Sequence, residues 1–259
     1  MESLNQKIAF VFPSCDKYSD LWDALFATIR LRWEDCPFEF YLISNKIEYA
    51  NPRIKTIKIG EDKTWCLNLI NALQHVPQSY ILLFIDDLFI SQNIDHNRVT
   101  ALMQRCVDNA WNYLRLNPTP GAKKCNYIDG DVGNIKAGDW YRSSTVFSLW
   151  KKSVLLDILQ PNENAWELEI FGSQRTDKYC DWYASNFWLL PYENLVVKGK
   201  IVPSVYRMIS DTGISLKSDR PVMTLPELVI LRIKFFRTKL MNLIPRFCRR
   251  RLRSFFSAT

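Results

Sequence analysis

Asp86 and Asp87 stand side by side at the end of an apolar run, Tyr80-Ile-Leu-Leu-Phe-Ile85, and the chain turns apolar again at Leu88-Phe89-Ile90. Adjacent carboxylates repel each other and resist desolvation. A hard divalent cation, Mn²⁺ or Mg²⁺, relieves both problems and can in turn hold a diphosphate. The competing reading is a helix cap beside a solvated loop Asp, because Asp is a preferred cap. The long apolar run in front favours a site. Other acids recur where loops are expected. Asp16 lies in Pro13-Ser14-Cys15-Asp16-Lys17, and Asp62 in Gly60-Glu61-Asp62-Lys63-Thr64-Trp65. Glu167 and Glu169 lie in Trp166-Glu-Leu-Glu-Ile-Phe-Gly-Ser-Gln-Arg175. If a helix opens there, both acids sit in its first turn, where the macrodipole favours them. Asp129 and Asp131 have a DxD spacing, but no apolar strand precedes them, so they read as a turn. Lys198-Gly199-Lys200 offers two cations to a phosphate, or a solvated turn.

The elements that must position these residues are legible as strand, helix, strand from the start. Ile8–Phe12 is a short apolar run stopped by Pro13 and predicts a first buried strand. Ser19-Asp20 can cap a helix reaching about Trp33, with Leu21, Trp22, Leu25, Phe26, Ile29 and Trp33 at helical spacing. Phe38–Ser44 and the partly alternating Ile54–Ile59 predict two more strands. Asp62 or Thr64 can cap a helix carrying Trp65, Leu69, Ile70 and Leu73. The N-terminus of such a helix is a ready anion site. The Tyr80 run is apolar on both faces, as strands covered on both sides of a parallel or mixed sheet are. Ligands of such sheets bind beyond the carboxyl ends of the strands, which is where Asp86 and Asp87 are delivered. Asp95 opens a further helix. Residues 117–139 read as a long loop, Tyr141–Trp150 and Phe187–Val197 as strands, and Lys151–Leu159 as a short helix.

Composition narrows the function. Seven Cys are scattered singly without a CxxC pair, and there are two His, His75 and His96. This excludes a His-rich metal site, a zinc ribbon and a disulfide framework, and suits reduced thiols in the cytoplasm. Nine Trp, eleven Tyr and fifteen Phe suit a large core with an aromatic-lined cleft. Residues 221–259 carry nine Lys or Arg and one Glu, a net +8, which leaves 25 basic against 26 acidic residues elsewhere. The body is neutral and the tail basic. Within 226–256 the basic residues alternate with Leu, Ile and Phe, the pattern of an amphipathic helix on an anionic membrane surface. Nucleic acid is the rival partner and ranks below it. No apolar run is long enough to span a membrane, and Met1–Lys7 has no signal-peptide shape.

Taken together, the strand and loop at Ile8–Asp16, Asp62 before a helix, the apolar strand into Asp86-Asp87, and the acidic segment Trp166–Glu169 resemble nucleotide-sugar-dependent glycosyltransferases of the GT-A type. The resemblance leans toward those of bacterial surface polysaccharide assembly (O-antigen, capsule or lipopolysaccharide), and it spans roughly residues 7–215 as an order of elements. The pair Asp86-Asp87 departs from strict DxD spacing. The resemblance implies a Rossmann-like α/β domain over 1–220 with a mixed, mostly parallel sheet flanked by helices. Residues to about 115 would form the nucleotide-sugar half and about 140–215 the acceptor half, with an amphipathic helical tail over 221–259. It implies hexosyl transfer to a saccharide or lipid-linked saccharide at the inner face of the cell membrane. Ser14, Asp16, Asp62, Trp65, Asp86, Lys198 and Lys200 would meet the donor, Asp86 and Asp87 the divalent cation. Glu169, or else Glu167, would be the base that takes the acceptor's proton. Two other classes remain in view: a non-catalytic α/β module that binds membrane or nucleic acid through its tail, and a nucleotidyltransferase. No Gly-rich, basic loop after the first strand favours the latter.

Overall fold

Strand β1 (Ile8–Phe12) shows why the chain folds as layers. Ile8, Phe10 and Phe12 point into one core cluster and Ala9 and Val11 into another, and all five are fully buried. A strand alternates its side chains, so an apolar residue at every position demands cover on both faces. A computed structural model of the chain describes residues 3–119, 128–139 and 141–233. A short α1 (Leu4–Lys7) leads into β1. A 3-10 turn (Asp16–Tyr18), α2 (Ser19–Arg32), β2 (Glu39–Ser44), β3 (Ile54–Lys58), α3 (Trp65–Leu73) and β4 (Tyr80–Leu83) follow. Next come β5 (Leu88–Ile90), α4 (His96–Asp108), β6 (Tyr113–Arg115), β7 (Val132–Asn134), β8 (Ser148–Lys151) and α5 (Lys152–Ile158). α6 (Ala165–Glu167) runs through a π-helical turn (Leu168–Gly172) into α7 (Ser173–Arg175). β9 (Trp182–Ser185), β10 (Tyr192–Asn194), β11 (Val196–Val197), β12 (Lys200–Ile201) and α8 (Pro203–Ser210) complete the body, and residues 225–233 are helical.

Eight strands form one sheet in the order β3-β2-β1-β4-β8-β6-β9-β7. Six run the same way; β8 and β7 run against them. The architecture is the α/β, GT-A-like one expected, a mixed and mostly parallel sheet between helices. α2 covers one face, where Trp22, Leu25, Phe26 and Ile29 meet Phe10, Phe12 and Phe84. α3 and α5 cover the other, where Leu69, Leu73 and Leu155 meet Val11, Ile81 and Trp150. Truncating Phe10 or Phe12 to Ala would cost about 3–5 kcal/mol.

The structure corrects several expectations. Tyr141–Trp150 is not one strand: only Ser148–Lys151 pairs, and the residues before it form a buried irregular loop. Phe187–Val197 is likewise broken, with Tyr192–Asn194 and Val196–Val197 pairing separately. Both stretches are apolar because they are buried, which a strand does not require. Residues 225–233 carry the described part of the expected tail, and 234–259 lie outside the described residues.

Candidate functional site

The strand order reverses at β1. From it the chain moves outward to β2 and β3, then returns to place β4 on its other side. Such a switch point opens a crevice beyond the carboxyl ends of β1 and β4, because the connections leave in opposite directions. A cleft of about 370 Å³ lies there. Pro13, Ser14, Cys15 and Tyr18 line it from the loop after β1, and Ile85, Asp86 and Asp87 from the turn after β4. Asp62, Lys63, Trp65 and Asn68 line it from the start of α3. Thr64 caps that helix by accepting from the Leu67 N–H at 3.2 Å, and Asn68 Nδ2 donates to Asp62 Oδ1 at 2.8 Å. The uncapped N–H groups of α3 and the Lys63 side chain give this wall a positive character.

Opposite it sits the acidic pair. Trp22 Nε1 donates to Ser14 Oγ at 2.8 Å, and Ser14 Oγ donates to Asp86 Oδ2 at 2.5 Å, so a buried Trp and a loop Ser fix the Asp86 carboxylate. Burial pushes the Asp86 carboxyl up to about 7; the Ser14 bond works against this and the Asp87 charge adds to it. Burial likewise pushes Asp87 up to about 6. The cation that opposes both shifts is Arg220, from the segment after α8. Its guanidinium forks onto Asp20 at 2.9 Å twice, donates to the Lys17 carbonyl at 2.6 Å and stacks over the Tyr18 ring at 4.3 Å. Ser218 donates to the same Asp20.

The donor set can be weighed against a divalent cation. Among the described residues no three His, Cys, Asp or Glu side chains gather around one point. Asp86 and Asp87 form a two-carboxylate set whose charges lack a contacting cation, and no described side chain donates to the Asp87 carboxylate. That suits Mg²⁺ or Mn²⁺ held by one or two carboxylates, with phosphate and water in the remaining positions. The residues present fit the ion.

Glu169 lies in the π-helical turn and lines a second pocket of about 180 Å³ with Tyr141, Ser173 and Asp177. Its Oε1 accepts from the Thr145 N–H at 2.7 Å, the Thr145 hydroxyl at 2.9 Å and the Ser144 hydroxyl at 3.0 Å. The loop that supplies these donors is bracketed by Tyr141 and Phe147, both left-handed with φ of 52° and 43°. Bulky residues avoid that region, and each such residue stores about 1–3 kcal/mol of strain that packing must hold. Tyr192 joins the two pockets. Its ring packs on Phe147 at 5.1 Å, Phe147 meets Phe84 at 4.5 Å, and the N–H of Leu195 donates to the Asp87 carbonyl at 2.9 Å. Burial raises the Tyr192 hydroxyl, and the charges of Glu169 and Asp87 both add to that shift.

Similarity to known proteins is one of fold. No protein-family model and no curated protein matches the chain. The solved structure of residues 1–349 of TarS from S. aureus is similar over 72% of this chain and 59% of that one, at 11% identity and a TM-score of 0.49. The same protein in complex with UDP-GlcNAc is similar over 82% of this chain and 68% of that one, at 9% identity and a TM-score of 0.48. The chain spans 40% of a longer TarS structure. A cytidylyltransferase from Leptospira borgpetersenii is similar over 67% of this chain and 74% of its own, at 9% identity and a TM-score of 0.43. At these values the reading of the site rests on its own residues.

Of the residues singled out from sequence, the fold brings Ser14, Asp62, Trp65, Asp86 and Asp87 into one cleft. Asp16 is placed otherwise. Its carboxylate accepts from the backbone N–H groups of Asn45, Lys46 and Ile47, so it ties the loop after β1 to the loop after β2. Glu167 accepts from the Asn164 N–H at 2.8 Å in a capping box and has a cap's role. Lys198 and Gly199 turn the β11–β12 hairpin, and Lys200 pairs with Glu227, so neither Lys lines the cleft. Asp129 and Asp131 form a turn, as read: Asp129 Oδ1 accepts from the Asp131 and Val132 N–H groups, and Arg105 pairs with its other oxygen. Sequence reasoning missed Trp22, Tyr192 and Arg220. Trp22 reads as a core position of α2, and Arg220 meets Asp20 across 200 residues, a pairing without a local signal.

Proposed function

We propose that the protein is a nucleotide-sugar-dependent glycosyltransferase, with Asp86 and Asp87 facing the donor diphosphate and Glu169 the acceptor. The observation that carries this is the switch-point cleft: two buried adjacent carboxylates on one wall and a capped helix N-terminus with Lys63 on the other. Neither wall alone suits a diphosphate; with a bound cation the pair does. Asp87, with Asp86 behind it, would hold Mn²⁺ or Mg²⁺. The ion would neutralise the charge that builds on the leaving nucleoside diphosphate. Trp65 and Tyr18 flank the cleft as flat surfaces for the donor's rings. Ser14 keeps the Asp86 carboxylate turned toward the turn it shares with Asp87. Lys63 and the α3 N–H groups stabilise phosphate oxygens as the glycosidic bond lengthens toward an oxocarbenium-like state.

Glu169 then takes the acceptor hydroxyl's proton. Three donors fix its Oε1, which leaves Oε2 as the face for a substrate hydroxyl. Tyr192, packed between this loop and the Asp87 turn, sets the distance between base and donor. The acceptor is a saccharide, free or lipid-linked, and the enzyme works at the inner face of the cell membrane.

The test is thermal unfolding of the full chain with UDP-, GDP-, CMP- and dTDP-sugars, each with and without Mn²⁺. A ligand that binds the native state alone raises the midpoint. One nucleotide class should do so in a Mn²⁺-dependent way, and Asp87→Asn should abolish it. A midpoint that no donor moves sinks the transferase reading. A shift that ignores Mn²⁺ sinks the metal role of the pair.

A further inference from the structure

Residues 225–233 form a helix that meets the body on one side. Leu228 and Leu231 lie against the main core cluster. Glu227 closes the first turn by accepting from the Thr224 N–H at 2.9 Å and hydroxyl at 3.0 Å, and it pairs with Lys200 at 2.5 Å, so the helix cannot roll. What faces outward is apolar: Leu225 is 79% exposed, Val229 55%, Ile230 53% and Ile233 60%. At the helical repeat these four cover an arc of about 140°, away from Leu228 and Leu231. A single exposed apolar side chain is ordinary; four on one arc of a fixed helix mark a contact surface.

We infer that this face docks on an anionic lipid bilayer, with Leu225, Val229, Ile230 and Ile233 seated at the boundary of headgroups and acyl chains. This rests on the membrane part of the proposal above and not on its transferase part. Charge selects the partner. The sequence that follows the helix, residues 234–259, carries eight Lys or Arg and no Asp or Glu. Anionic headgroups attract such a segment while the apolar arc inserts. A second copy of the chain would bring the same positive charge to the contact. A nucleic acid's phosphates offer nothing to four aliphatic side chains. The lead-in is tied to the body: Met223 N–H donates to the Ile201 carbonyl at 2.9 Å, and Arg220 clamps the loop that lines the cleft. Docking therefore presents the cleft to the bilayer in one orientation.

The experiment is flotation of the full chain with vesicles of phosphatidylcholine alone or with phosphatidylglycerol added. The wild type should float with the anionic vesicles and be released by salt. The double variant Val229→Lys/Ile233→Lys, checked for folding by circular dichroism, should partition at least about tenfold less, although it adds two positive charges. If the pair does not fold, Leu225→Lys at the most exposed position gives the same readout. Equal or tighter binding by the variant overturns the inference, because charge alone would then explain attachment. So does a wild type that ignores anionic vesicles, or a dimer that the substitutions dissociate without any lipid binding. A chain that floats but answers to no donor keeps this inference and loses the transferase.

Discussion

Asp86→Asn tests the electrostatics of the cleft without its ligands. The folded carboxyl sits at about 7 against an ordinary value of 3.8. A gap of about three pKa units corresponds to a penalty of about 4 kcal/mol on the folded state once Asp86 is ionised. The sign follows from which state binds the proton more tightly. The folded state does, so the penalty is absent below about pH 4, grows as pH rises, and is complete above about pH 7. Asn has the same shape, and its Oδ1 can still accept from Ser14, so the chain Trp22–Ser14–residue 86 survives. In EDTA, Asp86→Asn should therefore be more stable than the wild type by about 2 kcal/mol at pH 5 and about 4 kcal/mol at pH 8. For a chain of this size that is roughly 8 °C in midpoint at pH 8, and about half that at pH 5. Melting both proteins by circular dichroism from pH 5 to pH 8 reads the difference directly. Saturating Mn²⁺ should then shrink it, because the ion binds the wild type in preference. A difference that stays constant across pH, or a variant less stable at pH 8, would refute the claim that burial of an uncompensated carboxylate dominates here.

Glu169→Gln should lower kcat by about 10²–10⁴ while leaving the donor-induced midpoint shift in place; loss of that shift as well would make Glu169 a structural residue. Asp131→Asn, on an exposed turn, should move stability by less than about 0.5 kcal/mol and leave the Mn²⁺-dependent donor response intact; a lost response would relocate the metal to the DxD-spaced pair. Arg220→Met should cost about 1–2 kcal/mol near pH 7 by equilibrium urea unfolding. Burial alone would raise the Asp20 carboxyl, but its bonds to Arg220 and Ser218 outweigh this and hold it below the usual range. The stability it contributes is present above the ordinary carboxylate value and lost as pH falls through the folded one, so the cost of Arg220→Met should fade in acid; a cost unchanged there would show that packing on Tyr18, not charge, is what Arg220 supplies.

What the sequence made legible was set by local rules, and what it hid was set by distant contacts. β1, α2, β2, β3, α3 and β4 follow from apolar periodicity and caps, and with them the ends at which Ser14, Asp62 and Asp86 emerge. The second half resists the same reading because its apolar residues line a buried loop, as at Phe147, or strands of two to four residues, as at Val196. A period of two cannot show in so few positions. Side-chain roles divide the same way. Asp95 caps α4 and Asp129 nucleates a turn through neighbours two or three residues away, so spacing reveals them. Asp16 looked equally like a ligand contact, but its partners lie about thirty residues on, at the end of β2, and they turn a binding candidate into a clip. Glu169 separates from Glu167 for the same reason. Asn164, three residues away, takes Glu167 as a cap, whereas Ser144 and Thr145, more than twenty residues upstream, hold Glu169 beside an open pocket. In this chain a carboxylate with local partners is structural. The acids that remain for chemistry, Asp87 and Glu169, are brought to their places by residues remote in sequence.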